Sequence, residues 1–296
     1  MRNFKEHRMF EGSYVAIVTP FLNGNVDEDS FRKLIEFQIE NKTDGIVVAG
    51  CTGEAATLSH EEQKKLIALC VECVNGRVKV IAGTGSNNTT EAVALTRFAS
   101  DAGADGALLI TPYYNKPTPD GLVQHYSTVA EAAGLPIMLY NVPGRTGTNM
   151  NASTISMLSK IDNVVSLKEA GVDLDQISGI LAESDISLLS GNDSLTLPIM
   201  ALGGKGVVSV VGNIAPKKVS EMVRLALQGD FEKARAIHYE LLPLANAMFY
   251  ETNPMCVKKA LEIMGMCGGE LRLPLVPVKK ETATAIESVM ELSGLL

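Results

Sequence analysis

Residues 78–110 read VKVIAGTGSNNTTEAVALTRFASDAGADGALLI, and this stretch holds one complete strand–helix–strand pattern. The apolar segments at 78–82 and 106–110 are short and aliphatic, which is typical of buried strands. Between them an apolar stripe recurs at helical spacing and predicts an amphipathic helix. The stripe consists of Ala92, Leu95, Thr96, Ala99 and Ala102. The stretch therefore predicts two parallel strands joined by a helical crossover.

The same unit recurs along the first two thirds of the chain. Eight short apolar segments start 19 to 33 residues apart, and most are continuous apolar runs, as expected for strands buried on both faces. The segments are residues 14–18, 45–49, 78–82, 106–110, 136–140, 164–168, 187–190 and 206–210. Eight such units predict an α/β fold of the closed (β/α)8 TIM barrel type. An open, doubly wound sheet is the alternative.

Helical patterns lie between these segments and continue beyond the last of them. Ser59, and Thr90 with Glu91 beyond it, are expected to cap two of the crossover helices. After the last strand segment only helical segments follow, at 217–228, 231–250, 254–264 and 278–292. We therefore expect a barrel over residues 1–215 that carries the active site. Residues 216–296 are expected to form a C-terminal helical extension packed on the barrel, because no flexible linker separates the two.

Composition argues against several classes of protein. The chain has 296 residues, 46% of them hydrophobic, and a formal net charge of 26 − 34 = −8. This acidic balance argues against nucleic acid or a membrane surface as a partner, because both attract basic proteins. No apolar run approaches the roughly 18 residues that span a bilayer, and residues 1–8 lack the apolar core of a signal peptide. A cytoplasmic protein is expected.

Cysteine and histidine usage indicates neither disulfides nor a metal centre. Five cysteines without a secretory signal do not suggest a disulfide framework. Cys70 and Cys73 form a C-x-x-C late in the helical run 60–74, where helix packing is a better interpretation than redox chemistry. The four histidines show no metal-ligand spacing. The sequence therefore predicts no metal.

Lys168 closes the sixth strand segment, and a barrel carries its active site where the strands end. Strand alternation puts Lys168 on the same face as Val164 and Ser166. Burial lowers the pKa of an amine, and a neutral amine at pH 7 attacks carbonyl carbon. Lys168 is therefore a candidate Schiff-base lysine. The alternative is a lysine just past the strand end that reaches solvent.

Other strand ends supply further candidates. Tyr140 closes the fifth segment, and adjacent strands lie about 4.8 Å apart, so its hydroxyl can exchange protons with a substrate on Lys168. A core tyrosine bonded to a backbone carbonyl is the alternative. The turn at residues 50–54, GCTGE, can hold a carboxylate on its N–H groups and the Thr52 hydroxyl. Arg145 can bind a second carboxylate bidentately, unless it is an ordinary surface arginine.

In these residues the chain resembles the pyruvate-dependent class I aldolases of the dihydrodipicolinate synthase and N-acetylneuraminate lyase type. The resemblance runs from residues 10–13, FEGS, to residues 271–275, LRLPL, with the strand-end motifs in the same order. It implies a TIM-barrel lyase that forms a covalent imine between a lysine and pyruvate. It implies no metal and no organic cofactor.

The resemblance implies four catalytic residues. Lys168 would form the Schiff base, Tyr140 would be the proton shuttle, and Tyr114 would reach into the active site of a neighbouring subunit. The synthases usually carry Thr-Thr in the turn, and the first threonine joins the proton relay between the two tyrosines; here that position is Cys51. A thiol is a weaker hydrogen-bonding group than a hydroxyl, so the relay is expected to be slower or to use a water.

The substrate-binding residues also follow from the resemblance. Thr52 and Gly53 would hold the pyruvate carboxylate, and Gly191 and Val208 would line the pocket. Arg145 would bind the carboxylate of aspartate semialdehyde, for which the synthases carry an arginine that sialic-acid lyases lack.

The resemblance further implies a site for L-lysine near the tight dimer interface. Four residues match those that contact lysine in feedback-inhibited members: His60, Asn87, Glu91 and Tyr113. Ala55 and Gln63 differ from the serine and histidine of one inhibited form. L-lysine is therefore expected as an effector.

The reaction implied is the condensation of pyruvate with L-aspartate 4-semialdehyde in diaminopimelate and lysine biosynthesis. Two alternatives stay open. One is another Schiff-base 2-keto-acid aldolase or dehydratase, for example one like N-acetylneuraminate lyase. The other is a weakly catalytic homologue that binds keto acids or lysine. A homotetramer, built as a dimer of tight dimers, is implied as the assembly.

Overall fold

Eight parallel strands close into a barrel in the computed structural model, which describes residues 10–296. Successive barrel strands are hydrogen-bonded neighbours, and the last pairs with the first, where Val208 lies opposite Tyr14. This closure confirms the predicted (β/α)8 barrel and excludes an open sheet. Residues 1–8, which carry the expectation about a signal peptide, lie outside the described residues.

The barrel strands lie within two residues of the predicted segments. The strands are β1 (Gly12–Ala16), β2 (Phe21–Leu22), β3 (Asn25–Val26), β4 (Gly45–Val48), β5 (Lys79–Gly83), β6 (Gly106–Ile110), β7 (Ile137–Asn141), β8 (Val164–Glu169), β9 (Ser187–Ser190) and β10 (Gly206–Ser209). β2 and β3 form an antiparallel pair outside the barrel. The sequence pattern did not predict this pair, because two residues per strand are too few for an alternation to show.

Helices connect the strands and follow the last of them. In the described part of the chain they are α1 (Glu28–Glu40), α2 (His60–Val74), α3 (Thr89–Asp101), α4 (Pro119–Ala133), α5 (Pro143–Thr146), α6 (Ala152–Leu158), α7 (Leu174–Glu183), α8 (Thr196–Ala201), α9 (Pro216–Leu227), α10 (Phe231–Ala247), α11 (Met255–Ile263) and α12 (Lys280–Leu292). Short 3₁₀ turns lie at Ala55–Thr57, Asp193–Leu195 and Val211–Asn213. None of the described helices is long and apolar enough to cross a membrane.

One of the two predicted helix caps is correct. Ser59 caps α2 and forms a capping box with Glu62. The predicted cap of α3 is wrong, because Asn88 occupies that position and Thr90 lies within the helix. The Asn88 side chain accepts a hydrogen bond from the Thr90 N–H at 3.0 Å. An asparagine directly before the helix satisfies this free donor and so starts α3 earlier than expected.

The C-terminal helices lie against the barrel. α9 starts at Pro216 and lies against β1 and α10. Apolar side chains of these helices share one core with the barrel, as Val219 and Leu261 do with Val15. The division into two domains at residues 215 and 216 stays a prediction.

A register shift in β8 changes the face of one predicted residue. Ile137 lies opposite Val164, whereas Met138 lies opposite Ser166, so that β8 contains one extra residue. Val164 consequently packs with the outer helices. The prediction that Val164 shares the face of Lys168 is wrong, because a one-residue bulge reverses the facing of the residues before it. Ser166 keeps the predicted relation to Lys168.

The C-x-x-C pair belongs to helix packing, as predicted. Both thiols are free; Cys70 is fully buried, and Cys73 accepts a hydrogen bond from Arg32 Nη1 at 3.0 Å. Among residues 10–296, no group of three or more His, Cys, Asp or Glu side chains is arranged to hold a metal ion.

Candidate active site

Lys168 lies near the C-terminal end of β8, on the inside of the barrel. The strand register puts it between Tyr140 of β7 and Leu189 of β9, and only 5% of its surface is exposed. The alternative of a lysine that reaches solvent is therefore wrong. The parallel backbone hydrogen bonds on both sides fix this position.

The barrel interior makes the protonated Lys168 amine more acidic than that of an ordinary lysine. Burial lowers the pKa of Lys168 to about 8, and the positive charge of Arg145 acts in the same direction, while Cys51 and Asp193 oppose the shift. Nζ lies 4.2 Å from the centre of the Tyr140 ring. Roughly a tenth of such amines are neutral at pH 7, against fewer than about one in a thousand for an exposed lysine. A usable fraction of Lys168 is therefore nucleophilic at neutral pH.

Tyr140 is buried beside this amine, and hydrogen bonds to its backbone carbonyl hold it in place. Both the N–H and the hydroxyl of Thr111 donate to the Tyr140 carbonyl at 2.9 Å. The phenol contacts the Cys51 thiol, and burial, assisted by Cys51, raises the pKa of Tyr140 well above its usual value, although Arg145 lowers it. Tyr140 is therefore a protonated phenol at neutral pH that can donate a proton next to Lys168.

The turn at residues 50–54 is held close to the end of β1. Ala49, which precedes the turn, and Glu54, its last residue, have positive φ angles of 55° and 54°. Thr19 Oγ1 donates to the Gly53 carbonyl at 2.7 Å. A Cβ atom at Gly53 would lie 3.2 Å from the carbonyl oxygen of Ile17, so a glycine fits this close approach best.

Residues from the C-terminal part of the chain hold the same turn from outside. Lys258 Nζ lies 2.6 Å from Glu54 Oε1, and both side chains are fully buried. The Arg272 N–H donates to Glu54 Oε2 at 3.2 Å. Asn253 Nδ2 donates to Thr52 Oγ1 at 3.1 Å. The position of Thr52 therefore depends on residues about two hundred positions further along the chain.

Arg145 stands beside a cavity of about 470 Å³ that Cys51 and Tyr140 also line. It lies in α5, directly after β7, and its side chain is exposed. Arg145 Nη2 donates to the Asn253 carbonyl at 2.9 Å, which directs the guanidinium along the cavity wall. The arginine is therefore both exposed and part of the cavity, and can meet a carboxylate that enters from solvent.

Gly191 and Val208 lie close to the reactive lysine and tyrosine. A Cβ atom at Gly191 would lie 3.1 Å from Lys168 Cε and 2.7 Å from the Ala170 side chain, so glycine leaves room beside the lysine. Val208 is fully buried in the barrel interior, in the same apolar cluster as Tyr140.

Tyr114 is the one predicted catalytic residue that a single chain does not bring into this group. Its side chain is 91% exposed and its φ angle is 72°. The adjacent Tyr113, by contrast, lines the cavity.

Three of the four residues predicted for a lysine site line this cavity, and the fourth, Asn87, contacts one of them. His60 Nε2 is 3.9 Å from Glu91 Oε2, and Asn87 Nδ2 donates to the Tyr113 carbonyl at 3.2 Å. His60, Glu91 and Tyr113 line the same cavity as Arg145. A ligand between His60 and Tyr113 would therefore share a continuous space with the candidate active site.

Two buried carboxylates near Lys168, and one amide that contacts Thr52 and Arg145, were absent from the sequence prediction. Asp193 accepts hydrogen bonds from Ser209 Oγ and two backbone N–H groups, and burial raises its pKa. Glu169 accepts from Asn141 Nδ2 at 2.9 Å. Asp193 and Glu169 stand at strand ends and could have been found there. Asn253 carries no local sequence signal.

A buried amine of lowered pKa, a protonated phenol beside it and a cavity at the strand ends define a class of barrel enzyme. Enzymes of this class form an imine with a carbonyl substrate.

The chain belongs to the dihydrodipicolinate synthetase family, whose model matches residues 9–292. A relative from Methanocaldococcus jannaschii, named 4-hydroxy-tetrahydrodipicolinate synthase, is 56% identical over 289 residues, which cover 97% of this chain and 100% of the relative. The crystal structure of dihydrodipicolinate synthase from Aquifex aeolicus is 48% identical, has a TM-score of 0.95, and matches over 97% of this chain and 99% of that one. The corresponding enzyme from Cyanidioschyzon merolae, with lysine bound, is 41% identical, has a TM-score of 0.94, and matches over 97% and 100%. The predicted family and the predicted lyase activity are confirmed.

Proposed function

We propose that this chain condenses pyruvate with L-aspartate 4-semialdehyde, the reaction of a 4-hydroxy-tetrahydrodipicolinate synthase in diaminopimelate and lysine biosynthesis. The observation that carries the proposal is the Lys168 amine, buried and of lowered pKa, opposite Tyr140. The name of the relative from M. jannaschii supports the same activity.

The reaction starts with imine formation. The neutral amine of Lys168 attacks the keto carbon of pyruvate, a C–N bond forms, and the oxygen leaves as water after protonation. Tyr140 supplies that proton, because its raised pKa keeps the phenol protonated. Thr52 and the N–H groups of the 50–54 turn, Gly53 included, hold the pyruvate carboxylate. Gly191 and Val208 line the pocket around the imine.

Carbon–carbon bond formation follows from the imine. The protonated imine withdraws electrons, so the pyruvate methyl group loses a proton to the Tyr140 phenolate left by the preceding step, and an enamine forms. The enamine carbon attacks the aldehyde of aspartate semialdehyde, whose carboxylate is held by Arg145, and the new alkoxide takes the proton back from Tyr140. The substrate amino group then displaces Lys168 by transimination and closes the ring. The reaction needs no metal and no organic cofactor, because the lysine imine is the electron sink.

Tyr114 completes the proton route from a neighbouring subunit in this proposal. Its 91% exposure supports this role, because an exposed side chain can contact a second copy of the chain. Cys51 connects the two tyrosines in place of the usual threonine. The proposed assembly is a homotetramer made of two tight dimers. The proposed location is the cytoplasm, without a nucleic-acid or membrane partner.

L-lysine is the proposed effector, at His60, Asn87, Glu91 and Tyr113. The continuous cavity supports this site, and the structure from C. merolae contains bound lysine. Steady-state rates are expected to fall when L-lysine is added. Unchanged rates at millimolar lysine would reject the effector site.

Trapping with borohydride tests the proposed function. Reduction in the presence of pyruvate, followed by mass spectrometry, should add the mass of reduced pyruvate to Lys168. The purified enzyme should also consume aspartate semialdehyde. Absence of the label would contradict the Schiff base. A label on Lys168 without turnover of aspartate semialdehyde would instead favour another 2-keto-acid aldolase or dehydratase.

A further inference from the structure

Asn253 joins the two carboxylate-binding groups of the candidate active site, although it lies outside the barrel. It follows α10 in the C-terminal part of the chain, and only 6% of its surface is exposed. Its side-chain Nδ2 donates to Thr52 Oγ1 at 3.1 Å, and its carbonyl accepts from Arg145 Nη2 at 2.9 Å. Thr52 and Arg145 are the residues proposed to hold pyruvate and aspartate semialdehyde, respectively.

Asn253 is the donor in its hydrogen bond to Thr52, and this leaves the Thr52 hydroxyl proton available to an anion. A hydroxyl has one proton and two acceptor lone pairs. Because Nδ2 can only donate, Thr52 Oγ1 accepts in this bond and its own proton stays available. A carboxylate can only accept, so a hydroxyl whose proton is free is the group that a carboxylate needs.

Local packing does not account for the Asn253 amide. Its other atom, Oδ1, is buried and has no hydrogen-bond partner among residues 10–296. A buried acceptor without a partner costs stability. An apolar residue would be sufficient for packing here. Donation of a hydrogen bond to Thr52 Oγ1, by contrast, requires the Asn253 amide.

We propose that Asn253 is a positioning residue that keeps the Thr52 hydroxyl proton directed at the pyruvate carboxylate. The C-terminal helical part of the chain thereby controls pyruvate affinity. This inference rests on the proposed function, since it assigns the pyruvate carboxylate to Thr52.

Two substitutions separate the role of the side chain from that of the backbone. In Asn253→Asp the carboxylate accepts the Thr52 proton instead of donating, and it repels pyruvate. In Asn253→Leu the volume is kept and the donor is lost. The carbonyl that holds Arg145 is a backbone group and is present in both variants.

The measurement is a pyruvate titration of borohydride-trapped Lys168, read by mass spectrometry, in the full-length enzyme. We expect the half-saturating pyruvate concentration to rise on the order of tenfold in N253D and about threefold in N253L, as for loss of a hydrogen bond to a charged group. Maximal labelling should be retained. The KM for aspartate semialdehyde should stay within about twofold of the parent value in N253L, since Arg145 keeps its contact.

Thr52→Val provides the matched control. If Asn253 acts through Thr52, N253L should cause no further rise in half-saturating pyruvate in the T52V background. A structural role alone would move both substrates and would add to T52V. N253D keeps the size of the side chain and gives the answer even if N253L folds poorly.

The possible failures are distinguishable. Labelled parent enzyme with unchanged half-saturation in N253D, or additive effects in T52V/N253L, would overturn this inference and leave the proposed function standing. An unlabelled parent enzyme would overturn the proposed function and this inference with it.

Discussion

Lys168 and Tyr140 are held by paired strands inside the barrel, whereas the 50–54 turn is held from outside by the C-terminal part of the chain. The register of β7 and β8 alone puts the amine beside the phenol. The turn, by contrast, depends on Asn253, Lys258 and Arg272. The proposed reactive atoms are therefore built into the sheet, and the turn proposed to bind pyruvate is held by residues from the C-terminal part of the chain.

This difference has a consequence for substitutions. A substitution of Lys168 or another residue at a barrel strand end should abolish activity and leave folding intact, because the strands pair without the Lys168 amine. A change in the C-terminal contacts should alter stability and substrate affinity, because it releases the turn. Changes at Lys168, Lys258 and Cys51, and a change of pH, test this contrast.

Loss of the Lys168 amine should have the largest effect. Lys168→Met is expected to lower kcat by about a thousandfold or more, because no other residue supplies the imine. Its unfolding midpoint should not fall, since a buried amine is replaced by an apolar side chain. Steady-state kinetics and urea unfolding check both points. The exposed Lys160→Met is the control with parental activity. Residual activity within tenfold of the parent would refute the Schiff-base assignment.

Removal of Lys258 should act mainly on stability. Lys258→Met leaves the Glu54 carboxylate fully buried without its partner, which costs about 3–5 kcal/mol in the free energy of unfolding. Urea unfolding measures this loss, and pyruvate titration should show weaker binding.

The neighbouring Lys259 gives a matched control. It pairs with Glu262 at 2.7 Å at a partly exposed position, so Lys259→Met should cost less than about 1 kcal/mol. Equal losses in the two variants would show that the buried pair does not hold the turn.

The pH dependence of imine formation should report the Lys168 pKa of about 8. Only the neutral amine reacts, so the rate at low pyruvate should fall about tenfold per pH unit below pH 8 and level off above it. Between pH 8 and pH 6 this amounts to roughly fiftyfold. Single-turnover trapping from pH 6 to pH 10 measures the profile. A rate that is flat down to pH 6, or that still climbs at pH 10, would contradict the lowered pKa.

The smallest effect is expected at Cys51. Cys51→Thr should keep full activity and raise kcat up to about threefold, because a hydroxyl is a better partner for the Tyr140 phenol than a thiol. Cys51→Val, which has no hydrogen-bonding group, should lower kcat about tenfold. Steady-state kinetics of both variants decides between them. Complete loss of turnover in Cys51→Thr would contradict the relay.

The same contrast explains how much the sequence predicted. Buried parallel strands are continuous apolar runs, so all eight barrel strands were found within two residues, and Lys168 and Tyr140 followed from their ends. The predicted facing of Val164 was wrong, because a bulge cannot be recognised in a continuous apolar run. The prediction that Thr90 caps α3 was wrong, because Asn88, two residues upstream, has an equally suitable side chain.

The C-terminal contribution to the site could not be predicted from local pattern. Asn253 reaches Thr52 across 201 residues of sequence, and no motif of the extension indicates a partner in the barrel. The absence of a flexible linker predicted that these segments pack on the barrel, but it does not say which loop they contact. Tyr114 stays a prediction for a similar reason, since its proposed partner belongs to a second subunit.

A crystal structure of the enzyme with pyruvate, grown at a pH above 8, shows whether Lys168 forms the imine. We expect continuous density from Lys168 Nζ to the keto carbon, with the carboxylate on Thr52 Oγ1 and Asn253 Nδ2 still bonded to the same oxygen. Pyruvate bound without a covalent link to Lys168, or with its carboxylate away from Thr52, would contradict it.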